Sequence, residues 1–180
     1  MDITTCIKER RSIRNFQADK ISHQTFEEII SSASYAPSWK NTQTPRYTLI
    51  EDSSMISYLA DHCVMDFEFN ADTLRKAPNV VVLTSISGRC GYERDGSFST
   101  PKRDGWEMFD AGVAAQTFCL AAHAKGYGTV IMGIFDAGEI HSYLNLPAGQ
   151  TVSTVIALGR PAEHPAAPKR KEVSELVSYM

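Results

Sequence analysis

The stretch Asp104-Gly105-Trp106-Glu107-Met108-Phe109-Asp110-Ala111-Gly112-Val113-Ala114-Ala115-Gln116-Thr117-Phe118-Cys119-Leu120-Ala121-Ala122-His123-Ala124-Lys125-Gly126 decides the fold. Met108, Ala111, Ala115, Phe118, Cys119 and Ala122 recur at helical spacing. They predict one long helix from Asp104 or Gly105 to Lys125, ended by Gly126 as its C-cap. The small residues Ala111, Gly112, Ala114 and Ala115 let another backbone approach closely. Directly after it, Thr129–Met132 reads as a short apolar strand running into Gly133.

Working outward, Asn79-Val80-Val81-Val82-Leu83-Thr84 is a continuous β-branched run, the pattern of a buried strand. Tyr47–Ile50 and Thr151–Leu158 supply two further strands. Helices are predicted over the first ten residues, where Ile3, Cys6 and Ile7 form a stripe, and after Ser22, where Phe26, Ile29, Ile30 and Ala33 face inward. Others cover Ser53–Asp61, Ala71–Ala77 and Glu139–Leu144. Pro37–Gln43 is a polar loop. Ser85–Arg103, rich in Gly, Ser, Arg and Asp, is a loop of a length that is usually functional or mobile in a compact domain. The order predicts a single three-layer domain over residues 1–180, α+β or α/β in class.

Composition excludes several function classes. The 18 basic and 21 acidic residues give −3, so no bulk attraction to nucleic acid is expected. No apolar run approaches the roughly 20 residues that cross a bilayer, and the first residues hold no apolar signal core. A cytoplasmic chain without a membrane partner is therefore expected. Cys6, Cys63, Cys90 and Cys119 make no C-x-x-C pair, and the five histidines make no ligand spacing, so no structural metal is expected. Gly126-Tyr127-Gly128 with Gly133 follows a helix and precedes a strand, the reverse of a dinucleotide fingerprint. No paired carboxylates, G-x-S-x-G or Walker loop appears, so the catalytic side chains stay unknown and a cofactor is expected to carry the chemistry.

The positive charge is unevenly placed. Lys8, Arg10, Arg11 and Arg14 cluster near one end, and Lys169, Arg170 and Lys171 near the other. These seven take a large share of the 18 basic residues, leaving eleven against 21 acidic ones. The clusters are either two solvated patches or, where the fold joins them, one compact anion site. Arginine suits a phosphate through its planar, permanently charged fork, and Ser12 adds a hydroxyl. Likewise, Ser38, Asn41 and Gln43 make the Pro37–Gln43 loop either a surface loop or a set of donors and acceptors for a heterocycle.

Lys8-Glu9-Arg10-Arg11-Ser12-Ile13-Arg14-Asn15-Phe16 resembles the opening signature of the nitroreductase family of flavin enzymes. Ala36-Pro37-Ser38 with Asn41-Thr42-Gln43, the segment Asp110–Gln116, Gly126–Gly128, Met132-Gly133, Leu144–Pro147, and Ile156–Pro161 with Lys169–Lys171 come after it in the family's order. The resemblance runs from about Lys8 to Lys171. It implies an α+β, three-layer α/β/α fold with a mixed, mainly antiparallel central sheet flanked by helices. It also implies an FMN-dependent oxidoreductase, a homodimer with two interface active sites.

By that resemblance Arg10 and Arg14, with Ser12, hold the FMN phosphate and ribityl chain, and Arg11 is counted among the cofactor-binding residues with them. Arg170, helped by Lys169, reaches the same phosphate. Pro37, Ser38, Trp39 and Asn41 come from the partner subunit and lie against the flavin. Asn70 falls near the isoalloxazine edge, and the backbone around Ile131, Met132 and Gly133 lies beside the reactive N5. NADH or NADPH would reduce the flavin, and a nitroaromatic or quinone-like acceptor would reoxidise it in a ping-pong cycle. Alternatives within the resemblance are reductive dehalogenation, flavin fragmentation and a non-catalytic flavin-binding module. Three residues depart from common family patterns: Trp39 where many members are small, Thr73 in place of a lysine, and Met132 at a position acidic in some members. Ser85–Arg103 is the candidate lid.

Overall fold

The computed structural model describes residues 2–180. The elements are α1 (Ile3–Glu9), α2 (His23–Ala33), a 3₁₀ turn at Trp39–Asn41, β1 (Pro45–Ile50), α3 (Ser53–His62), α4 (Glu68–Arg75) and β2 (Asn79–Ile86). Next come α5 (Gly105–Ala124), β3 (Gly128–Met132), α6 (Ala137–Tyr143), β4 (Gln150–Gly159) and a last 3₁₀ turn at Val173–Glu175. The sheet order is β1-β2-β4-β3.

Every ladder in the sheet is antiparallel. The mixed character expected of it is confined to one parallel bridge, Ser12 with Thr129, on the outer edge of β3. Side chains alternate across a strand, so central β2 must be apolar on both faces. Val81 and Leu83, with Ile156 and Leu158 of β4, pack on Ile29 and Ala33 of α2 and on Ala115, Phe118 and Ala122 of α5. Val80 and Val82, with Val155 and Ala157, pack on Ile56, Leu59, Leu74 and Ile140 of α3, α4 and α6. Three layers result, as the resemblance implied.

Phe118 anchors the α5 side. Its ring is fully buried, stacked on Tyr47 at 5.5 Å and edge-on to Phe26 at 6.2 Å. Burying a ring of this size is worth about 2–3 kcal/mol. The opposite side of α5 is apolar too, yet Met108 and Phe109 are each 57% exposed.

Two glycines fix the path between α5 and the edge strand. Gly126, at φ +80°, ends α5 in the left-handed conformation that its C-cap needs. Gly128 opens β3 where a Cβ would lie 2.6 Å from Cγ1 of buried Ile13. The G-x-G spacing therefore serves a cap and a close approach.

Candidate functional site

The first basic segment runs along the edge of β3. Arg10 caps the C-terminus of α1, and the chain then turns extended. Ser12 bridges Thr129, and the Ile13 N–H donates to the Thr129 carbonyl at 3.0 Å. Ile13 turns into the core, so the alternation of an extended chain sends Ser12 and Arg14 to the other side. The backbone N–H groups of Arg14 and Asn15 donate to Oε1 of Glu163, at 2.7 and 3.1 Å, and Asn15 Nδ2 donates to Oε2 at 2.6 Å. This clasp holds the start of the C-terminal tail beside Arg14. The three donors keep the Glu163 carboxyl below the ordinary glutamate range, the Arg14 N–H contributing most.

The Arg14 guanidinium lies over the ring of Phe69, 5.0 Å from its centroid. The next residue, Asn70, is buried, and its Nδ2 donates to the Ile134 carbonyl at 3.0 Å. The fold thus gathers Ser12, Arg14, Asn70, the end of β3 at Ile131 and Met132, and Gly133 after it into one neighbourhood. Met132 sends its side chain into the core, and its carbonyl accepts from Thr154 Oγ1 at 2.8 Å. Ile131 and Ile134 leave an exposed apolar lip there. Thr73 Oγ1 is turned onto the Phe69 carbonyl at 2.8 Å.

Arg10 sits at the other end of the segment, beside Cys119 and His123 of α5. Burial, then the Arg10 charge, pushes the His123 pKa down. Arg10 Nε, Arg11 Nε and His123 Nε2 are all buried without a hydrogen-bond partner. Arg11 is turned back on its own helix: its guanidinium donates to the carbonyls of Lys8 and Arg10, at 2.6 and 2.8 Å. It closes the α1 C-terminus, a structural use of its charge.

No hydrogen bond joins the two basic clusters among the described residues. Lys169 and Arg170 lie in an exposed extended tail. None of Arg10, Arg11, Arg14, Lys169 or Arg170 takes part in an ion pair among the described residues. The six residue steps from Glu163 to Lys169 span at most about 20 Å, enough to return to Arg14.

The Pro37–Asn41 loop lies elsewhere, against the N-terminal half of α5. The Trp39 N–H donates to Asp110 Oδ2 at 2.8 Å, and Cys90 Sγ–H donates to the same oxygen at 3.0 Å. Asp110 and His123 are thirteen residues apart on α5, about 20 Å of helix, so the loop is remote from Arg10. Trp39 packs on Trp106 at 4.7 Å, and Lys40 pairs with Glu93 at 2.8 Å. The Ser85–Arg103 excursion is therefore fastened to this loop, with Cys90 wholly buried at its base. Behind the loop, a cavity of about 680 Å³ opens between α2, β1 and α5, lined by Phe26, Ile30, Tyr47 and Ala114 among others.

Burial raises the Cys63 thiol to about 11, and burial with the Asp110 bond raises Cys90 to about 12.

Sequence reasoning missed Asp110 and Cys90 as a pair. The signal was present: Asp110 falls at i with Ala114 and Phe118 at i+4 and i+8, an acidic residue on a buried helical stripe.

The family profile described as Nitroreductase family matches residues 7–160. The chain belongs to the nitroreductase family. A Thermus thermophilus relative named NADH dehydrogenase is 26% identical over 91% of this chain and 88% of its own length. A Rhodospirillum rubrum relative named 5,6-dimethylbenzimidazole synthase is 24% identical over 87% of this chain and 81% of its own. Among solved structures, an FMN complex from Desulfovibrio desulfuricans superimposes with a TM-score of 0.80 at 26% identity, covering 100% of this chain and 97% of that one. Nitroreductase-family membership makes the chain an oxidoreductase. Its residues also fit a flavin mononucleotide: Arg10 and Arg14 without carboxylate ion pairs among the described residues, an orphaned buried nitrogen at Arg10, and an apolar lip at Ile131 and Ile134.

Proposed function

We propose that this nitroreductase-family chain binds FMN and uses NADH or NADPH to reduce nitroaromatic or quinone-like acceptors in a ping-pong cycle. The observation that carries the reading is the strip of arginine charge along β3, unpaired by any carboxylate among the described residues and continuous with Asn70 and the Ile131–Gly133 backbone. Bound FMN would supply the redox chemistry, taking up a hydride from the nicotinamide and passing its electrons to the acceptor.

The chain's own part is binding and orientation. Arg10 and Arg14 offer charge-assisted hydrogen bonds to a phosphate dianion, and Ser12 adds a neutral donor. Lys169 and Arg170, led back by the Glu163 clasp, would close over the same anion. Asn70 has Nδ2 committed to Ile134, which keeps its oxygen as an acceptor for the edge of the flavin ring. Ile131 and Ile134 would exclude water from one side of the ring. Nicotinamide and acceptor would use this cleft in turn, which is the basis of the ping-pong cycle.

The same reading includes a homodimer. Arg10, beside His123, and the Trp39 loop, on Asp110, are held about 20 Å apart along α5, so the loop of one protomer would complete the site of the other. Two features support a second copy: the exposed apolar face of α5 at Met108 and Phe109, and Gly112 on that face. Glycine inside a helix costs about 1 kcal/mol relative to alanine, and beyond the local backbone of α5 no atom among the described residues lies within 4 Å of where a Gly112 Cβ would be.

The test is the visible spectrum of the purified protein, followed by NADH and NADPH separately under nitrogen. Flavin bands that bleach are expected. A colourless chain that cannot be reconstituted with FMN would contradict the reading. The double variant Arg10→Ala with Arg170→Ala should keep its fold and lose flavin, since each charge-assisted contact is worth about 1.5–3 kcal/mol.

The relative named 5,6-dimethylbenzimidazole synthase favours a second reading, in which the flavin is itself the substrate for fragmentation. There, flavin absorbance would be lost irreversibly in air after reduction. Recovery of the oxidised spectrum supports the reductase reading.

A further inference from the structure

Asp110 is a buried carboxylate, 3% exposed, with no cation to balance it among the described residues. One oxygen accepts both the Trp39 N–H and the Cys90 S–H. Burying a carboxylate in this way is costly unless its hydrogen bonds repay it. The structure around those bonds shows what they hold. Immediately after Trp39, Lys40 and Asn41 have φ of 44° and 55°, and Gln43 has 48°. Three non-glycine residues in the left-handed region within four positions make a strained turn that needs an outside constraint. Ser38 Oγ accepts from the Gln43 N–H at 3.0 Å, which closes the turn but does not anchor it to the body. The body supplies Asp110 from α5, Cys90 and Glu93 from the excursion, and Trp106 as a stacking surface.

We infer that Asp110 is a positioning residue: with Cys90 it fixes the strained Trp39–Gln43 turn, and through that turn the Trp39 surface presented to the acceptor. The functional half of this inference rests on the proposed FMN-dependent reaction. The structural half stands on the hydrogen bonds alone. The excursion, on this account, is the buttress of the turn: Cys90 sits under it, and Lys40–Glu93 ties its outer side.

The chain offers a direct probe, because Trp39 and Trp106 are its only two tryptophans and they pack on each other. Their exciton-coupled circular dichroism reports the turn with no cofactor present. In Asp110→Ala this couplet should collapse, and hydrogen exchange at the Trp39 amide should accelerate roughly ten- to hundredfold, the equivalent of one hydrogen bond to a charged group. Global unfolding should change much less, because removing the carboxylate also removes its desolvation cost. Asp110→Asn keeps an oxygen for the Trp39 N–H and should restore the couplet. In FMN-loaded protein, Asp110→Ala should raise KM for the acceptor several-fold, with a far smaller loss of FMN than Arg10→Ala with Arg170→Ala shows, since the phosphate contacts lie elsewhere.

An Asp110→Ala protein that keeps both the couplet and slow Trp39 exchange would overturn the inference. So would a lost couplet with an unchanged KM, which would break the link from the turn to the acceptor. Should Asp110→Ala not fold, Cys90→Ala, which leaves the carboxylate with one donor, should weaken the couplet and speed Trp39 exchange, and an unchanged couplet with slow exchange in that variant would overturn the inference. Should wild-type protein take up no FMN, the proposed function fails, and the couplet still decides whether Asp110 holds the turn.

Discussion

Replacing Gly128 by alanine tests how closely the first basic segment is tied to the sheet. A Cβ at this position would lie 2.6 Å from Ile13 Cγ1, 2.8 Å from its Cβ and 3.1 Å from Cγ2. These are branched atoms of a residue 6% exposed, held by the bond from its own N–H to the Thr129 carbonyl. A β-branched side chain has little rotamer freedom with which to evade the clash. Ordinary contact therefore requires the segment carrying Ser12 and Arg14 to move outward by roughly 1 Å. Overpacking of this kind costs about 1–3 kcal/mol. The lower unfolded-state entropy of alanine returns about 0.5–1 kcal/mol. The expected loss is about 1–2 kcal/mol, a fall in Tm of about 2–8 °C for a chain of this size.

Thermal and urea unfolding measure this loss directly. A double-mutant cycle with Ile13→Ala should show coupling of about 1–2 kcal/mol, because truncating Ile13 makes the room that Gly128→Ala needs. Under the proposed function, the displaced Ser12 and Arg14 should weaken FMN binding about tenfold, the value of one charge-assisted hydrogen bond. A Gly128→Ala protein as stable as wild type, with no coupling to Ile13, would refute the reasoning.

The Glu163 clasp predicts a pH response of the tail. Its folded pKa is depressed, so its contribution is present above the ordinary glutamate range and is lost as pH falls through the depressed value. Limited proteolysis should cut the tail after residue 163 faster on acidification. Glu163→Gln should show the faster cutting already at neutral pH, and equal rates in the two proteins would count against the clasp. At the proposed interface, Gly112→Leu should leave the protomer folded, since beyond the local backbone of α5 its Cβ meets no atom among the described residues, but should shift sedimentation from dimer to monomer. An unshifted dimer would move the interface away from α5.

Much of the fold was legible because burial imposes period. The α5 helix announced itself through its apolar repeat, and β2 through a run that only a two-faced core can absorb. The Gly126 C-cap was equally plain. The start of α4 was not: the structure begins it at Glu68, before the Ala71 expected. Met65 and Asp66 make the preceding turn at φ of 51° and 56° without a glycine or proline to mark it, and Phe67 caps without a side-chain bond.

The candidate site divides in the same way. Arg10, Ser12 and Arg14 were visible as a charged segment, and the extended pairing with Thr129 explains why Ser12 and Arg14 share a side. Arg11 looked the same in sequence, yet the orphaned carbonyls at the end of α1 claim its guanidinium. Asp110 was hidden in a family segment, because its partners Trp39 and Cys90 are separated from it by 71 and 20 residues. Contacts of that range arise from the packed fold, and no local pattern encodes them.

The central claim is that two copies build each flavin site, one supplying the arginines and the other the Trp39 loop. Mixed dimers test it most directly. One protomer would carry Arg10→Ala with Arg14→Ala, and the other would have residues 37–41 replaced by glycines and serines. Neither variant alone should reduce an acceptor. After mixing through unfolding and refolding, a two-fold dimer predicts that about a quarter of the sites become intact, with activity recovered in proportion. No recovery, from variants shown to refold and associate, would mean that each protomer builds its own site, and the account of a shared flavin site would be wrong.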